Sequence, residues 1–376
     1  MEHGGMVPVY RKKVYGRGGS HAAKGRIDMH QPASSRLDVA AARALWEEAD
    51  VFALGELAHA ARLARHPDPV VTYIVDRNIN YTNVCACGCR FCAFFRPPGH
   101  AEGYVLTRDE LAAKVAETEA LGGYQILLQG GMHPDLTLEF YTGMLSFLRD
   151  RFPGVAVHGF SPPEIVFLAR MEGLSIAEVL AELKASGLAS LPGGGAEILS
   201  DPIRGSVSPN KCPADEWIAV MAEAHAQGLR STATMVIGLG ETIDHRLEHL
   251  ARLRDLQDAT GGFTAFIPWT FQPGNTGLAG LTEASSVEYL RWLALSRLFL
   301  DNLPNIQASW VTQGPLVGQM ALFFGANDFG STMIEENVVA AAGVHFRLPE
   351  EELRRLVSQA GFTPVRRNMD YSRREA

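Results

Sequence analysis

Four of the chain's five cysteines fall within eight residues, at Cys85, Cys87, Cys89 and Cys92. Cys85, Cys89 and Cys92 make a C-x3-C-x2-C pattern, with Cys87 inside it. Thiolates are soft ligands, and three of them on one loop can wrap three corners of an iron–sulfur cube. The fourth iron then has no protein ligand and is open to chelate a small molecule. A closed site that also uses Cys87, holding zinc or a ferredoxin-type cluster, is the competing reading. Cys212 lies far away, before Pro213 at a helix start, and reads as structural.

Such a loop needs a rigid base, and the sequence repeats one phrase that supplies it. Capping boxes at Thr107-x-x-Glu110 and Ser175-x-x-Glu178 open helices, and glycines at Gly122-Gly123 and Gly187 close them. Short apolar runs follow each helix: Tyr124–Gln129, Val155–His158, Leu188–Leu191, Leu229–Ile237, Phe263–Ile267 and Ile306–Val311. The first run, Tyr73–Asn80, leads straight into the cysteines. Strand, helix and strand in alternation signal parallel strands with crossover helices, hence an α/β class. About seven or eight strands favour a (β/α) barrel, closed or nearly so, with its site on loops after the strand C-termini. An open doubly wound sheet is the alternative, weakened because no Gly-x-Gly-x-x-Gly follows the first strand.

Around the barrel, expected at residues 71–330, the sequence divides further. Residues 1–34 are basic and Gly-rich and read as a mobile tail; residues 35–70 carry one or two amphipathic helices; residues 331–376 form a C-terminal extension with a helix at Glu350–Ala360. Net charge is −8, from 34 Lys+Arg against 42 Asp+Glu, which argues against nucleic acid as the partner. No apolar run is long enough to span a membrane, and no apolar stretch follows the basic N-terminal residues as in an export signal. A cytoplasmic protein without membrane insertion is the expectation.

The cysteine pattern after a first barrel strand resembles the radical S-adenosylmethionine (SAM) superfamily. Asn78-Ile79-Asn80-Tyr81-Thr82-Asn83, Gln129-Gly130-Gly131, Gly193-Gly194-Gly195-Ala196-Glu197-Ile198 and Trp269-Thr270-Phe271-Gln272-Pro273 resemble its menaquinone and deazaflavin branch. Ser161-Pro162-Pro163-Glu164-Ile165, Gly325–Thr332 and Glu335-Glu336-Asn337-Val338-Val339 are similar to the cyclic dehypoxanthinyl futalosine synthase family. The resemblance runs from residue 37 to about 371. It implies a 4Fe–4S cluster on Cys85, Cys89 and Cys92, with SAM as cosubstrate near Phe91, Gln129, Gly130, Gly131, Glu197 and Gly238. Glu197 has a competing reading as a solvated loop carboxylate. The implied reaction is cyclisation of dehypoxanthinyl futalosine through a 5′-deoxyadenosyl radical that takes a ribose hydrogen, fed by an electron donor such as flavodoxin or ferredoxin. His158, ending a strand, is the first candidate for the base that removes the last proton, against the reading of a core histidine. Ser161 and Thr312 are candidates for contacts to the sugar, and Arg77, Arg96 and Arg230 for the benzoate. Aminofutalosine synthase and deazaflavin-forming enzymes share the cysteine motif and stay open as alternatives, as does a non-enzymatic zinc or electron-carrier module.

Overall fold

The structure, a computed structural model, describes residues 36–374. The basic tail expected at 1–34 lies outside them. Two helices come first, Val39–Glu48 and Val51–Arg65, each capped by an aspartate, Asp38 and Asp50. They pack on the helix Ser286–Phe299, where Trp46 meets Trp292 edge to face.

Ten strands follow: β1 Val70–Ile74, β2 Asp76–Asn80, β3 Gln125–Gln129, β4 Ala156–Gly159, β5 Leu188–Leu191, β6 Arg230–Ile237, β7 Phe263–Thr270, β8 Asn305–Ile306, β9 Asp328–Ser331 and β10 Thr363–Arg366. β2 to β8 form one parallel sheet in sequence order, curled with crossover helices outside. The single strand expected at Tyr73–Asn80 is broken at Val75. Its first half, β1, pairs with β9 and β10, and its second half, β2, pairs with β3.

The gap between β8 and β2 is filled by residues 327–335. On one side Asn327 N donates to Ile306 O (3.0 Å) and Ala308 N to Asp328 O (2.9 Å). On the other, Thr332 N donates to Ile74 O (2.9 Å), Ile334 N to Asp76 O (3.1 Å) and Asn78 N to Glu335 O (3.3 Å). Backbone hydrogen bonds therefore run round the whole barrel, and they continue past residue 330, where the barrel was expected to end. The strand expected at Ile306–Val311 stops at Ile306. Trp310–Gln313 is a helical turn instead, with the Ser309 hydroxyl bonded to the Pro268 carbonyl.

Side chains alternate along each strand. Asp76 and Asn78, Gln125, Leu127 and Gln129, His158, and Thr232, Thr234 and Val236 face the barrel interior, where they line a cavity. Arg77, Ile79, Ile126 and Leu128 are their buried neighbours in the strands. Among the described residues no helix is long and apolar enough to cross a membrane.

Candidate functional site

The cysteine loop leaves β2 at Asn80 and is folded back on itself by its own polar groups. Asn83 accepts from Tyr104 N (3.0 Å) and donates to Glu102 O (3.0 Å), while Cys85 N donates to Arg96 O (2.9 Å). The Arg96 guanidinium bonds the carbonyls of Ala93, Phe94 and Phe95 (3.3, 3.3 and 3.0 Å), so it organises this loop. The loop rests on the end of β3: Met132 N donates to Cys85 Sγ (3.4 Å) and Ala86 N to Met132 O (2.9 Å). A Cβ on Gly131 would stand 2.1 Å from Val84 O, and one on Gly130 would stand 2.4 Å from the Tyr81 ring. The space those glycines leave is taken by the cysteine loop itself.

All five cysteines are free thiols. Cys92 lines the cavity, whereas Cys87 is buried, with its carbonyl tied to Asn210 Nδ2 (3.0 Å). Cys87 and Cys89 sulfurs are 3.4 Å apart. That hydrogen bond, with help from the Lys211 cation, lowers the Cys89 thiol to about 7, while the same bond and burial raise Cys87. Burial raises Cys85 and Cys92. Among the described residues, no three Cys, His, Asp or Glu side chains converge as a single metal ion requires.

Glu197 follows the glycines after β5, in left-handed backbone (φ 39°), and is 5% exposed. This excludes the solvated-loop reading. Its Oε1 accepts from Lys211 Nζ (2.7 Å), Arg204 Nη1 lies 3.7 Å from Oε2, and Oε2 has no hydrogen bond. A buried carboxylate oxygen left without a donor is costly, and Glu197 lines the cavity. It therefore offers an acceptor to a ligand. The Lys211 ammonium also lies 4.9 Å from the Phe91 ring centroid, joining this pair to the cysteine loop.

The cavity, about 320 Å³, runs down the barrel. Phe91, Cys92, Gln129, Glu197 and Thr312 line the end nearest the cysteines, with Ile267 and Trp269 as apolar wall. Met333, within the closing segment, and Glu336, Val338 and Val339, just beyond it, also line the cavity. Asp76, Gln125, His158, Arg367 and Tyr371 line the opposite end, where β2 and β3 begin. His158 Nδ1 is hydrogen-bonded to Ser190 Oγ. Burial, with the Arg367 charge nearby, pushes its pKa down to about 3.

Comparison with known proteins agrees with this architecture. The description "Radical SAM superfamily" matches residues 79–253, and "CofH/MqnC C-terminal region" matches residues 260–376. A cyclic dehypoxanthine futalosine synthase of Halalkalibacterium halodurans is 48% identical over 89% of this chain and 91% of its own. The chain belongs to the radical SAM superfamily, in the group with the CofH/MqnC C-terminal region. It is a radical SAM enzyme. A second cyclic dehypoxanthine futalosine synthase, from Streptomyces coelicolor, is 43% identical over 90% of this chain and 86% of its own. A 5-amino-6-(D-ribitylamino)uracil–L-tyrosine 4-hydroxyphenyl transferase of Methanopyrus kandleri is 40% identical over 87% of this chain and 90% of its own. Among solved structures, methylornithine synthase (PylB) shares the fold with a TM-score of 0.70 at 18% identity, over 89% of this chain and 95% of that one. The hydrogenase maturase HydG does so with 0.68 at 17%, over 87% and 72%.

Of the residues singled out in this radical SAM chain, Phe91, Cys92, Gln129, His158, Glu197 and Thr312 meet around one cavity. Others lie outside its lining and have work of their own. Ser161 donates to Glu164 Oε2 (2.6 Å) in a buried capping box, and Glu164 in turn binds Tyr81 Oη (2.7 Å) and Gly130 N (3.1 Å). Gly238, in left-handed backbone, donates to Glu241 Oε1 (2.9 Å). Arg77 reaches outward to Glu117 (2.7 Å) and the Lys114 carbonyl (2.9 Å), and Arg230 is exposed at the start of β6. Neither they nor Arg96 line the cavity. Lys211 and Arg367 went unnoticed in the sequence because no spacing marks them.

Proposed function

We propose that the enzyme converts dehypoxanthinyl futalosine to cyclic dehypoxanthinyl futalosine, a ring closure on a route to menaquinone, in the cytoplasm. The observation that carries this reading is the single cavity leading from the cysteine loop to a buried cation at the opposite end. Such a space suits one elongated molecule with a sugar towards the cysteines and an aryl carboxylate at its far end. The two relatives at 48% and 43% identity, both named for this synthase, support it.

In this reading Cys85, Cys89 and Cys92 hold a 4Fe–4S cluster and Cys87 stays behind them. SAM lies against Phe91, Gln129 and Glu197, with Gly130, Gly131 and Gly238 shaping the loops that receive it. When bound there and reduced by a flavodoxin- or ferredoxin-type donor, the cluster would supply the electron for reductive cleavage of SAM to methionine and a 5′-deoxyadenosyl radical. The chain's own part is positioning and exclusion of stray hydrogen donors. Ile267 and Trp269 keep the wall apolar, and the unpartnered Glu197 Oε2 offers SAM an acceptor. Thr312 stays within the lining as a hydroxyl for the sugar, and Ser161 acts through Glu164 on the loop. His158, held neutral, serves as a hydrogen-bonding group rather than as a resting place for a proton. Asp76 shares its end of the cavity, where Ser331 and Gln125 donate to its oxygens and burial raises its pKa. Anaerobic incubation with SAM, reductant and dehypoxanthinyl futalosine, followed by mass spectrometry, tests the proposal. Consumption of L-tyrosine with the ribitylaminouracil would assign the transferase reaction instead.

A further inference from the structure

The far end of the cavity holds a recognition group that the strand pattern did not announce. Among the described residues Arg367 is the one Lys or Arg that lines the cavity. It comes from the C-terminal extension, one residue beyond β10, and is 4% exposed. One edge of its guanidinium is fixed: Nε and Nη2 bind Asp328 (2.6 and 3.2 Å), which Thr72 Oγ1 (2.6 Å) and Gly330 N (2.9 Å) hold in turn. One face is covered by the Tyr371 ring, 3.7 Å away. The other edge is barely used. Nη1 reaches only the Asn368 carbonyl at 3.3 Å, and Nη2 reaches Gln307 Oε1 at 3.5 Å.

A planar cation clamped by an aspartate on one edge and held on the other only by two long contacts suits a carboxylate, which guanidinium can bind in parallel hydrogen bonds by displacing them. We infer that Arg367 reads the aryl carboxylate of the substrate and so sets its direction in the barrel, with the reacting sugar towards the cysteines. This rests on the cyclase reading for the identity of the ligand, but the recognition chemistry can be measured separately. Asp76 faces the same end, with its oxygens engaged by Ser331 and by Gln125 Nε2 (2.8 Å). An arriving anion therefore meets a paired arginine and a carboxyl already occupied by donors.

The test uses full-length, cluster-loaded enzyme under argon, with benzoate and benzamide as probes titrated by tryptophan fluorescence. Wild type should bind benzoate more tightly than benzamide by roughly 10- to 100-fold, the range of one charge-assisted hydrogen-bonded contact. Arg367→Gln should erase that preference, and Arg367→Lys, which keeps charge without the fork, should keep part of it. In turnover, Arg367→Lys should raise KM for the substrate more than it lowers kcat. Benzoate bound no better than benzamide by wild type, or not at all, overturns the inference even if Arg367→Gln fails to fold. So does an undiminished preference in a folded Arg367→Gln. Assaying cyclisation on the same samples separates the two readings. Turnover without a carboxylate preference defeats the role of Arg367 alone, whereas a preference without turnover defeats the cyclase alone.

Discussion

The Lys211–Glu197 pair gives a quantitative test of the site's electrostatics. Its side chains are 12% and 6% exposed and its closest atoms 2.7 Å apart. Lys211→Met leaves the Glu197 carboxylate buried with Arg204 at 3.7 Å as its remaining cation and one oxygen already without a hydrogen bond. Breaking a buried pair from one side costs about 3–5 kcal/mol. Glu197→Gln is milder, because the amide oxygen still accepts from Lys211 and the ammonium keeps its contact with Phe91; about 1–3 kcal/mol is expected. The double variant should regain much of the loss, giving a coupling of about 2 kcal/mol or more. Urea unfolding of all four proteins under argon, followed by circular dichroism, reads this cycle. Additive changes, or a Lys211→Met variant within about 0.5 kcal/mol of wild type, would show that the pair is solvated and the reasoning wrong. The folded Glu197→Gln protein should also keep its cluster spectrum while binding SAM roughly tenfold or more weakly.

Cys85→Ala, Cys89→Ala and Cys92→Ala should each abolish the cluster and SAM cleavage, while Cys87→Ala keeps both; iron and sulfide analysis after anaerobic reconstitution decides this. Gly131→Ala places a Cβ 2.1 Å from Val84 O, a backbone atom, so the cysteine loop must shift and the reconstituted protein should lose most of its iron. A pH effect follows from His249, fully buried, whose Nδ1 accepts from Leu199 N (2.9 Å) and whose pKa burial lowers to about 3. The unfolded chain protonates this ring near 6.5 and the folded chain does not. Its contribution is therefore complete above pH 6.5 and is lost as pH falls towards 3, at roughly 1.4 kcal/mol per unit. His249→Gln should flatten the urea-midpoint profile across that window by one proton's slope.

The cysteine loop and the strand–helix alternation were legible because local signals carry them: spacing for the ligands, capping boxes and glycines for the helix ends. Thr107-x-x-Glu110 and Ser175-x-x-Glu178 both form the boxes their spacing implies. Trp310-Val311 misled because a short apolar run fits a buried helical turn as well as a strand. The closing strand Asp328–Ser331 was missed because Asp-Phe-Gly-Ser has no apolar alternation. It is a strand because two neighbours bond to it. Arg367 and Lys211 show the same limit: each matters through a partner or cavity brought close only by folding, Asp328 for one and Glu197 for the other. Of the three arginines between which the sequence could not choose, Arg77 and Arg96 are bound by nearby carbonyls and acids, and Arg230 is exposed at the start of β6.

The central claim is that a radical generated at the cysteine loop takes a ribose hydrogen from dehypoxanthinyl futalosine and closes its ring. Substrate deuterated at that ribose carbon, incubated anaerobically with SAM and reductant, tests it most directly. Radical and substrate share one shielded cavity, so deuterium should appear in 5′-deoxyadenosine, one molecule released per product, with the product lighter by one deuterium and one hydrogen. A product heavier by an adenosyl group, or deoxyadenosine without deuterium, would contradict it.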